Sequence, residues 1–266
     1  MNASLPQSEL PLFDQLRDIM RTLRDPVQGC AWDVQQTFAT IAPYTIEEAY
    51  EVQDAILRGD RSALCAELGD LLLQVMFHSQ MAEEEGSFTL DDVVHGIIQK
   101  MIRRHPHVFG SDAMRDAESQ AQAWEAHKAQ ERRNAGHSSL MDDVPRNLPA
   151  LVRAHKLQKR AAHVGFDWAT ITPIWEKLHE ELAELHEAHI SGNHAHTHEE
   201  LGDLLFVLVN LARHMGCAPD DALHAANHKF EQRFRAMEAM AHSEGTSLAN
   251  ESLAQQEARW QKVKTL

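Results

Sequence analysis

Apolar residues recur every three or four positions along most of the chain, which is the period of an amphipathic α-helix. No segment shows sustained alternation of apolar and polar residues, and aromatic residues make up only 6% of the chain, so no strand is predicted. The predicted fold class is therefore all-α. The predicted helices cover residues 12–23, 46–57, 64–81, 93–102, 174–190, 201–215 and 222–240.

One pattern of acidic residues occurs twice. Four carboxylates follow one another at steps of 3, 16 and 3 residues in the first half, and the same steps recur in the second half. Further along, each half has a lysine and an arginine four residues apart, and then a tryptophan and a lysine four residues apart. This self-similarity indicates that one helical unit is used twice. The matched acids are Glu48/Glu181, Glu51/Glu184, Glu67/Glu200 and Asp70/Asp203.

The breaks between helical segments predict the domain organisation. Residues 134–150 gather glycine, serine, asparagine, aspartate and proline between two long helical blocks, which is typical of a linker. We therefore predict an N-terminal helical-bundle domain at 1–133 and a C-terminal one at 151–266. Residues 192–198 (GNHAHTH) predict a loop, and Thr45 is predicted to begin a helix.

The charge balance argues against two classes of partner. The 25 lysines and arginines against 40 aspartates and glutamates give a net charge of −15, which argues against nucleic acid or an anionic membrane as a partner. Three scattered cysteines suggest a reducing compartment. The apolar runs are too short to span a bilayer, and the N-terminus does not resemble a signal peptide. We expect a cytoplasmic protein.

The repeated acids predict a metal site. Residues three apart on a helix share a face, and a 16-residue step lets two helices pack antiparallel with their carboxylates facing. Acidic helix faces are more commonly solvated, but here the second pair of acids leads into apolar runs at 71–77 and 204–209. Converging carboxylates repel one another unless a cation lies among them, and an all-oxygen set favours Mg²⁺, with Mn²⁺ as the alternative. Gly69 and Gly202 further predict the close approach of a ligand or backbone.

Cationic partners for a phosphate ligand are predicted on the last helices. Lys229 and Arg233 share one helical face, and Trp260 with Lys264 adds a flat aromatic surface and a further positive charge. Phosphates held by a metal ion and by Lys/Arg, with a base on Trp, suit a nucleoside triphosphate. Taken singly, each of these residues is explained better by a surface salt bridge or by core packing.

Two other metal sites compete with the carboxylate site. A di-iron bundle uses Glu-x-x-His motifs on two helices, and Glu176 with His179 matches that motif only once. The alternate histidines His194, His196 and His198 suit zinc or nickel, but such histidines in a loop are more often solvated. We therefore favour the carboxylate site.

The motifs together resemble the MazG family of nucleoside triphosphate pyrophosphohydrolases, within the all-α NTP pyrophosphatase superfamily. The resemblance runs from about residue 13 to residue 264, with Ala31 at a position where the family usually has proline. The segments that carry it are residues 29–33 (GCAWD), 43–52 (PYTIEEAYEV), 67–75 (ELGDLLLQV), 103–109 (RRHPHVF), 142–151 (DDVPRNLPAL), 164–168 (VGFDW), 200–206 (ELGDLLF) and 229–234 (KFEQRF).

The resemblance implies Mg²⁺-dependent hydrolysis of NTPs and dNTPs to nucleoside monophosphate and pyrophosphate, for nucleotide-pool house-cleaning or regulation, on tandem helical domains that form a homodimer. The alternative, from another functional class, is a helical regulatory protein that binds nucleotides without cleaving them. By resemblance, the metal ligands are Glu181, Glu184, Glu200 and Asp203, and the nucleotide contacts are Lys177, Lys229, Arg233, Trp260 and Lys264.

The second half is predicted to be the main catalytic unit. Lys177 precedes Glu181 by one helical turn and is placed to reach a phosphate, whereas the first-half counterpart of Lys177 is Tyr44. Pro106 also breaks the helix of the first half at a point where the second-half helix continues.

The predicted reaction uses a water molecule that attacks the α–β phosphoanhydride. Glu184 or the adjacent Glu180 is predicted to take the proton of that water. A homodimer is also expected from the residues, because the runs at 71–77 and 204–211 contain more apolar residues than one pair of helices can cover.

Overall fold

The computed structural model describes residues 10–110, 116, 124, 128, 131, 134, 136 and 138–265. The chain divides into two compact units, one up to residue 127 and one from residue 128. Every regular element in the described residues is helical, which confirms the predicted all-α class. The linker predicted at 134–150 lies partly outside the described residues, and its limits stay a prediction.

The first unit is built around a helical hairpin. The two long helices α3 and α4 pack along each other, and α1 and α5 pack against α4. Its described helices are α1 (Leu12–Leu23), α2 (Ala31–Gln35), α3 (Phe38–Arg58), α4 (Arg61–Glu85), α5 (Leu90–Arg104) and α6 (Pro106–Phe109).

The second unit is built around a hairpin of the same kind. Here α8 and α9 form the hairpin, α7 packs against α9 and α10, and α11 packs against α10. Its described α-helices are α7 (Ala150–Ala162), α8 (Thr172–Ile190), α9 (His194–His214), α10 (Pro219–Ser243) and α11 (Leu253–Lys264).

Matched turns close the two hairpins. Gly59 (φ 69°) and Gly192 (φ 71°) both end the first helix in the left-handed conformation, which glycine adopts without steric cost. The next helix begins at a side-chain cap: Asp60 accepts hydrogen bonds from the backbone N–H groups of Ser62 and Ala63 at 3.0 Å each. Asn193 caps α9 in the same way. The short turn predicted from the 16-residue step is therefore present in both units.

The cores of the two hairpins also follow the repeat. Three pairs of fully buried residues are each separated by 133 positions (174 − 41, 188 − 55, 209 − 76), the offset that relates Glu48 to Glu181. Burial is therefore repeated together with the acids, as expected for one unit used twice. The buried pairs are Ile41/Ile174, Ala55/Ala188 and Met76/Val209.

Two predicted helix starts are wrong. Helix α3 begins at Phe38 rather than after Thr45, because Thr37 and Thr40 form a capping box and Pro43 is accommodated inside the helix. The loop predicted at 192–198 ends at Asn193, because its side chain accepts a hydrogen bond from the backbone N–H of His196 at 3.2 Å. The histidines of this segment therefore form the first turns of α9.

Two further sequence predictions concern the surface of the chain. Cys30, Cys65 and Cys217 are all free and exposed. No single helix in the part of the chain that the structure describes is both long and apolar enough to cross a membrane. The bent pair α9 and α10 meets that test only when the two helices are taken together, by length and composition.

Candidate active site

The second unit brings three of the predicted metal ligands together. Carboxylate oxygens of Glu181 and Glu184, on α8, and of Glu200, on α9, lie within 4.8 Å of one another. Glu181 and Glu200 are buried, whereas Glu184 is exposed. Asp203 lies one turn beyond Glu200, outside this group of three, and acts on Glu200 through its charge. The hairpin thus gathers acids that are up to 19 positions apart in the sequence (200 − 181).

Lys177 reaches the acidic cluster. Its Nζ donates to Glu180 Oε1 at 2.7 Å and lies 2.8 Å from Glu181 Oε1. The hydrogen bonds to these two carboxylates, Glu180 first, raise the pKa of Lys177 above its ordinary value. The lysine therefore balances part of the negative charge that the buried Glu181 brings to the cluster.

Sequence reasoning missed a second basic group at the cluster. His196 Nδ1 lies 3.3 Å from Glu200 Oε1, one helical turn before it. Burial raises the pKa of Glu200, the neighbouring carboxylates raise it further, and His196 opposes both. His196 and Glu200 are four residues apart, a spacing that brings two side chains together on one helix. The contact was not predicted, because residues 192–198 were predicted to form a loop. Each buried carboxylate thus has a basic side chain four positions earlier.

The first unit forms a corresponding cluster. Carboxylate oxygens of Glu48, Glu67 and Asp70 lie within 4.8 Å of one another, and Glu51 shares a hydrogen bond with Glu67. Burial, and then the neighbouring carboxylates, raise the pKa values of Glu48 and Glu51. None of these acids is fully buried.

The two clusters differ in their basic partners. The first-unit positions that correspond to Lys177 and His196 carry Tyr44 and Ala63, which hold no positive charge. Both clusters are therefore suited to a cation, and in the second each buried acid has a basic side chain beside it.

The predicted nucleotide contacts form a separate group. The guanidinium carbon of Arg233 lies 5.8 Å from the ring centroid of Trp260, and the ring of Phe230 lies 5.4 Å from the same indole. In the first unit Arg104 lies over Trp124 at 4.8 Å. A cation–π pair therefore accompanies both copies of the hairpin.

The remaining predicted contacts lie on the exposed surface. Lys229 and Lys264 are exposed, and Trp260 is half-buried. Among the described residues, the second acidic cluster forms ion pairs with Lys177 and His196 and not with these cations. Ion pairs therefore do not link these cations to the acidic cluster in the described residues.

A buried arginine fixes the helix that carries Trp260. The neighbouring Arg259 pairs with Glu251 at 2.7 Å and with Glu244 at 2.6 Å. Helix α11 is thereby held to the segment that follows α10. Sequence reasoning did not find this contact, because its partners lie 8 and 15 positions away.

The competing metal sites are not formed in the described residues. His179 is exposed, and its Nδ1 lies 2.6 Å from the backbone oxygen of Trp175. Neither Glu176 nor the histidines at the start of α9 belong to a group of three converging ligand atoms.

The glycines predicted to mark a close approach meet nothing outside their own helices in the part of the chain that the structure describes. A Cβ atom added at Gly69 or Gly202 would have no neighbour within 4 Å. The reasoning from a close approach is therefore not supported within one chain.

The two hairpin units match a known family of proteins. A sequence model of the MazG nucleotide pyrophosphohydrolase domain matches residues 36–109 and 170–237, which are the two hairpin regions with the helices that follow them. The chain belongs to the MazG family. It is accordingly an enzyme of the nucleotide pyrophosphohydrolase class.

Similarity to curated MazG-family proteins extends over nearly the whole chain. The chain is 50% identical to the nucleoside triphosphate pyrophosphohydrolase of Escherichia coli (strain K12), over 95% of this chain and 97% of that protein. It is 42% identical to the nucleoside triphosphate pyrophosphohydrolase/pyrophosphatase MazG of Thermotoga maritima, over 95% of this chain and 96% of that protein. The resemblance stated from the sequence motifs is confirmed.

Proposed function

We propose that this MazG-family protein hydrolyses nucleoside triphosphates to nucleoside monophosphate and pyrophosphate at the acidic cluster of the second unit. The observation that carries the proposal is the convergence of Glu181, Glu184 and Glu200, two of them buried, with Lys177 beside them. The names of the relatives, which are nucleoside triphosphate pyrophosphohydrolases, support the substrate class.

The donor set of this cluster fits Mg²⁺, with Mn²⁺ as the alternative. All three converging ligand atoms are carboxylate oxygens, which hard divalent cations prefer. Asp203, one turn along α9 from Glu200, is the proposed fourth ligand. A divalent ion held there supplies positive charge that stabilises the charge on the phosphates during the reaction.

Lys177 has two roles in this proposal. Without a ligand it balances the charge of Glu181 and Glu180. With a cation held by the acids, Lys177 would be free to donate to a phosphate oxygen. The first unit lacks this lysine, so we propose that the second unit is the main catalytic one.

The reaction requires one proton transfer and one bond cleavage. The oxygen of a water molecule attacks phosphorus at the α–β phosphoanhydride, and the bond to the bridging oxygen breaks, releasing pyrophosphate. Glu184, exposed at the cluster, or the adjacent Glu180 takes the proton of the water. Lys229, Arg233 and Lys264 are the proposed contacts of the phosphates.

Trp260 is the proposed aromatic contact of the nucleotide. Its indole also packs against the guanidinium of Arg233. The ring therefore helps to position Arg233, a proposed phosphate contact, even where it does not touch the base. We propose ribo- and deoxyribonucleoside triphosphates as substrates, in the cytoplasm, with a role in nucleotide-pool house-cleaning.

We further propose a homodimer. The helix that follows the turn in each unit leaves an apolar stripe exposed, at positions spaced by four and three residues on one face. These residues are between 37% and 50% exposed, and a second copy of the chain would cover them. The matched pairs of the stripe are Leu68/Leu201, Leu72/Leu205 and Val75/Leu208.

The test of the activity is product analysis. The purified protein is incubated with a panel of NTPs and dNTPs and Mg²⁺, and pyrophosphate and monophosphate are quantified. We expect equal amounts of the two products and no turnover in excess EDTA. Binding without pyrophosphate release would favour the non-hydrolytic alternative, and full turnover in EDTA would contradict the metal assignment. Sedimentation showing a fully active monomer of 30.1 kDa would contradict the dimer.

A further inference from the structure

One face of α11 holds this helix to the segment that precedes it. Gln256 Nε2 donates to the backbone oxygen of Leu248 at 2.7 Å. Arg259, one turn further along, is 8% exposed, and Val263, one turn beyond Arg259, is 7% exposed. Steps of three and four residues place these side chains on the same face of a helix. Residues of this face therefore set the rotation of α11 about its own axis.

The guanidinium of Arg259 joins two carboxylates from different parts of the chain. Its Nε donates to Glu251 Oε2 at 2.8 Å and its Nη2 donates to Glu251 Oε1 at 2.7 Å, which is the bidentate geometry that arginine and a carboxylate favour. The same Nη2 donates to Glu244 Oε2 at 2.6 Å. The side chains of Arg259 and Glu251 are 9% and 6% exposed, whereas that of Glu244 is 54% exposed. Because Glu244 directly follows the last residue of α10, Arg259 ties α11 to the end of α10.

Burial of this guanidinium costs free energy. Nη1 of Arg259 is buried and has no hydrogen-bond partner in the described part of the chain. Desolvation of two charges commonly cancels most of the attraction between them, so a buried ion pair is weak evidence of net stabilisation. Its hydrogen bonds nevertheless have fixed directions, because the guanidinium is planar and its donors form a rigid fork. A fixed orientation of α11 is therefore the main consequence that we expect from Arg259.

Trp260, the next residue, gives α11 a second attachment to α10. Its ring lies 5.4 Å from the ring of Phe230, and the guanidinium carbon of Arg233 lies 5.8 Å from the centroid of the indole. Glu244 follows Phe230 by 14 positions (244 − 230), which corresponds to about 20 Å along a helix. Neighbouring residues of α11 thus contact α10 at two well-separated points. Loss of the contact at Arg259 would therefore change the angle at which the indole meets Arg233.

We propose that Arg259 is a positioning residue for nucleotide binding. It acts through Trp260, which the proposed function places against the nucleotide, so the inference rests on that function. Stacking requires the indole to face the base, and the ion pairs of Arg259 hold the helix that presents the indole. Their loss weakens nucleotide binding and leaves the acidic cluster unchanged, since no carboxylate of that cluster is involved.

The experiment changes the ion pairs in two backgrounds, the wild type and Trp260→Ala. Arg259→Met removes every hydrogen bond of the guanidinium, and Arg259→Lys keeps the charge but cannot form the same fork. Glu244→Ala removes only the exposed partner and keeps the pair with Glu251. It leaves no buried carboxylate unpaired, and it decides the question if Arg259→Met does not fold. Arg235→Met, which removes an exposed ion pair of α10, is the matched control.

Two quantities are measured in Mg²⁺ for each variant. The first is the steady-state rate of pyrophosphate release from ATP, which gives kcat and KM. The second is the Kd, by titration calorimetry, of an ATP analogue in which a methylene group replaces the oxygen that bridges the α and β phosphorus atoms. This analogue cannot be cleaved at that bond, so its Kd is measured without turnover. The melting temperature reports the stability of each variant.

We expect Arg259→Met to raise KM and Kd by about tenfold and Glu244→Ala by about threefold, with kcat within about twofold of the wild type. Arg259→Lys should give intermediate values, and Arg235→Met should resemble the wild type. In the Trp260→Ala background, Arg259→Met and Glu244→Ala should change KM and Kd by less than about twofold, because the residue through which Arg259 acts is already lost.

Two results would overturn the role of Arg259 alone. Wild-type KM and Kd in Arg259→Met and Glu244→Ala, with a lowered melting temperature, would show that the ion pairs serve stability only. Effects that multiply with that of Trp260→Ala would show that Arg259 does not act through Trp260.

A different result would overturn the contact on which the inference rests. If Trp260→Ala itself leaves KM and Kd unchanged, Trp260 does not bind the nucleotide, and the role of Arg259 fails with it. Pyrophosphate release from the wild-type protein reports the proposed activity independently of all these variants, so the two failures are distinguishable.

Discussion

The ammonium group of Lys177 lies 2.8 Å from the carboxylate of Glu181, a residue that is buried within the acidic cluster of the second unit. The first unit has Tyr44 at the corresponding position. A lysine at this place puts a positive charge beside a carboxylate that is a proposed metal ligand, so we propose that a bound ion would compete with it for Glu181.

Lys177→Met should therefore destabilise the protein mainly when no divalent ion is present. In EDTA we expect the free energy of unfolding to fall by about 1–2 kcal/mol, because Glu181 loses its charged hydrogen-bond partner. In Mg²⁺ the difference from the wild type should shrink, because the ion takes over that role. Thermal unfolding with and without Mg²⁺ measures both values, and Lys156→Met, on the exposed surface of α7, is the control. An equal loss of stability in EDTA and in Mg²⁺ would show that a bound ion does not replace Lys177 as the partner of Glu181.

Trp260→Ala should raise KM for every NTP by roughly tenfold, because the loss of a stacking contact and of the support for Arg233 costs about 1–2 kcal/mol. The value of kcat should change much less, since the contact is present in the ground state and the transition state alike. Trp260→Phe, which keeps an aromatic ring, should restore part of the affinity. Steady-state kinetics with a melting curve checks this prediction. A normal KM with a lowered melting temperature would mean that Trp260 serves packing alone.

Asp167→Asn should lower the free energy of unfolding by about 1–2 kcal/mol at neutral pH, because the carboxylate that binds Arg213 and His214 is lost. The pKa of Asp167 in the folded protein, about 2, lies below its ordinary value of 3.8. Its contribution is therefore fully present above about pH 4 and is lost as the pH falls through 3.8 towards 2.

Urea unfolding followed at a series of pH values measures this dependence. The difference between Asp167→Asn and the wild type should be constant from pH 5 to pH 7 and should fall to a small fraction of that value near pH 2. Asp54→Asn, which removes an exposed partner of Arg58, is the control and should change stability by less than about 0.5 kcal/mol. A difference at pH 2 as large as that at pH 7 would show that the carboxylate charge is not the cause.

Much of the fold could be predicted from the sequence. Helical period located all seven predicted helices, and the limits of α1 agree with the prediction at both ends. No predicted helix covers α2, α6 or α7, and the clearest of the other errors lie at helix starts, where one side chain decides the boundary. Thr37 begins α3 several residues before Thr45, and Asn193 begins α9 inside a histidine-rich segment that has no apolar period.

The acidic cluster could be predicted because its residues repeat at helical spacing and the turn between them is short. Neither the cavity of about 620 Å³ beside α9 nor the ion pairs of Arg259 with Glu244 and Glu251 could be predicted. Both join residues from separate elements, such as Gln158 on α7 and Phe206 on α9, and no spacing rule relates such positions.

The most direct test of the account compares the two acidic clusters within one chain. Glu200→Gln and Glu67→Gln each replace one carboxylate oxygen by an amide nitrogen, at matched positions of the two units. Pyrophosphate release at saturating Mg²⁺ is measured for each variant. We expect Glu200→Gln to lower kcat/KM by about a hundredfold or more, equivalent to about 3 kcal/mol. We expect Glu67→Gln to leave it within a few-fold of the wild type. Equal losses in the two variants, or a larger loss in Glu67→Gln, would contradict the assignment of catalysis to the second unit.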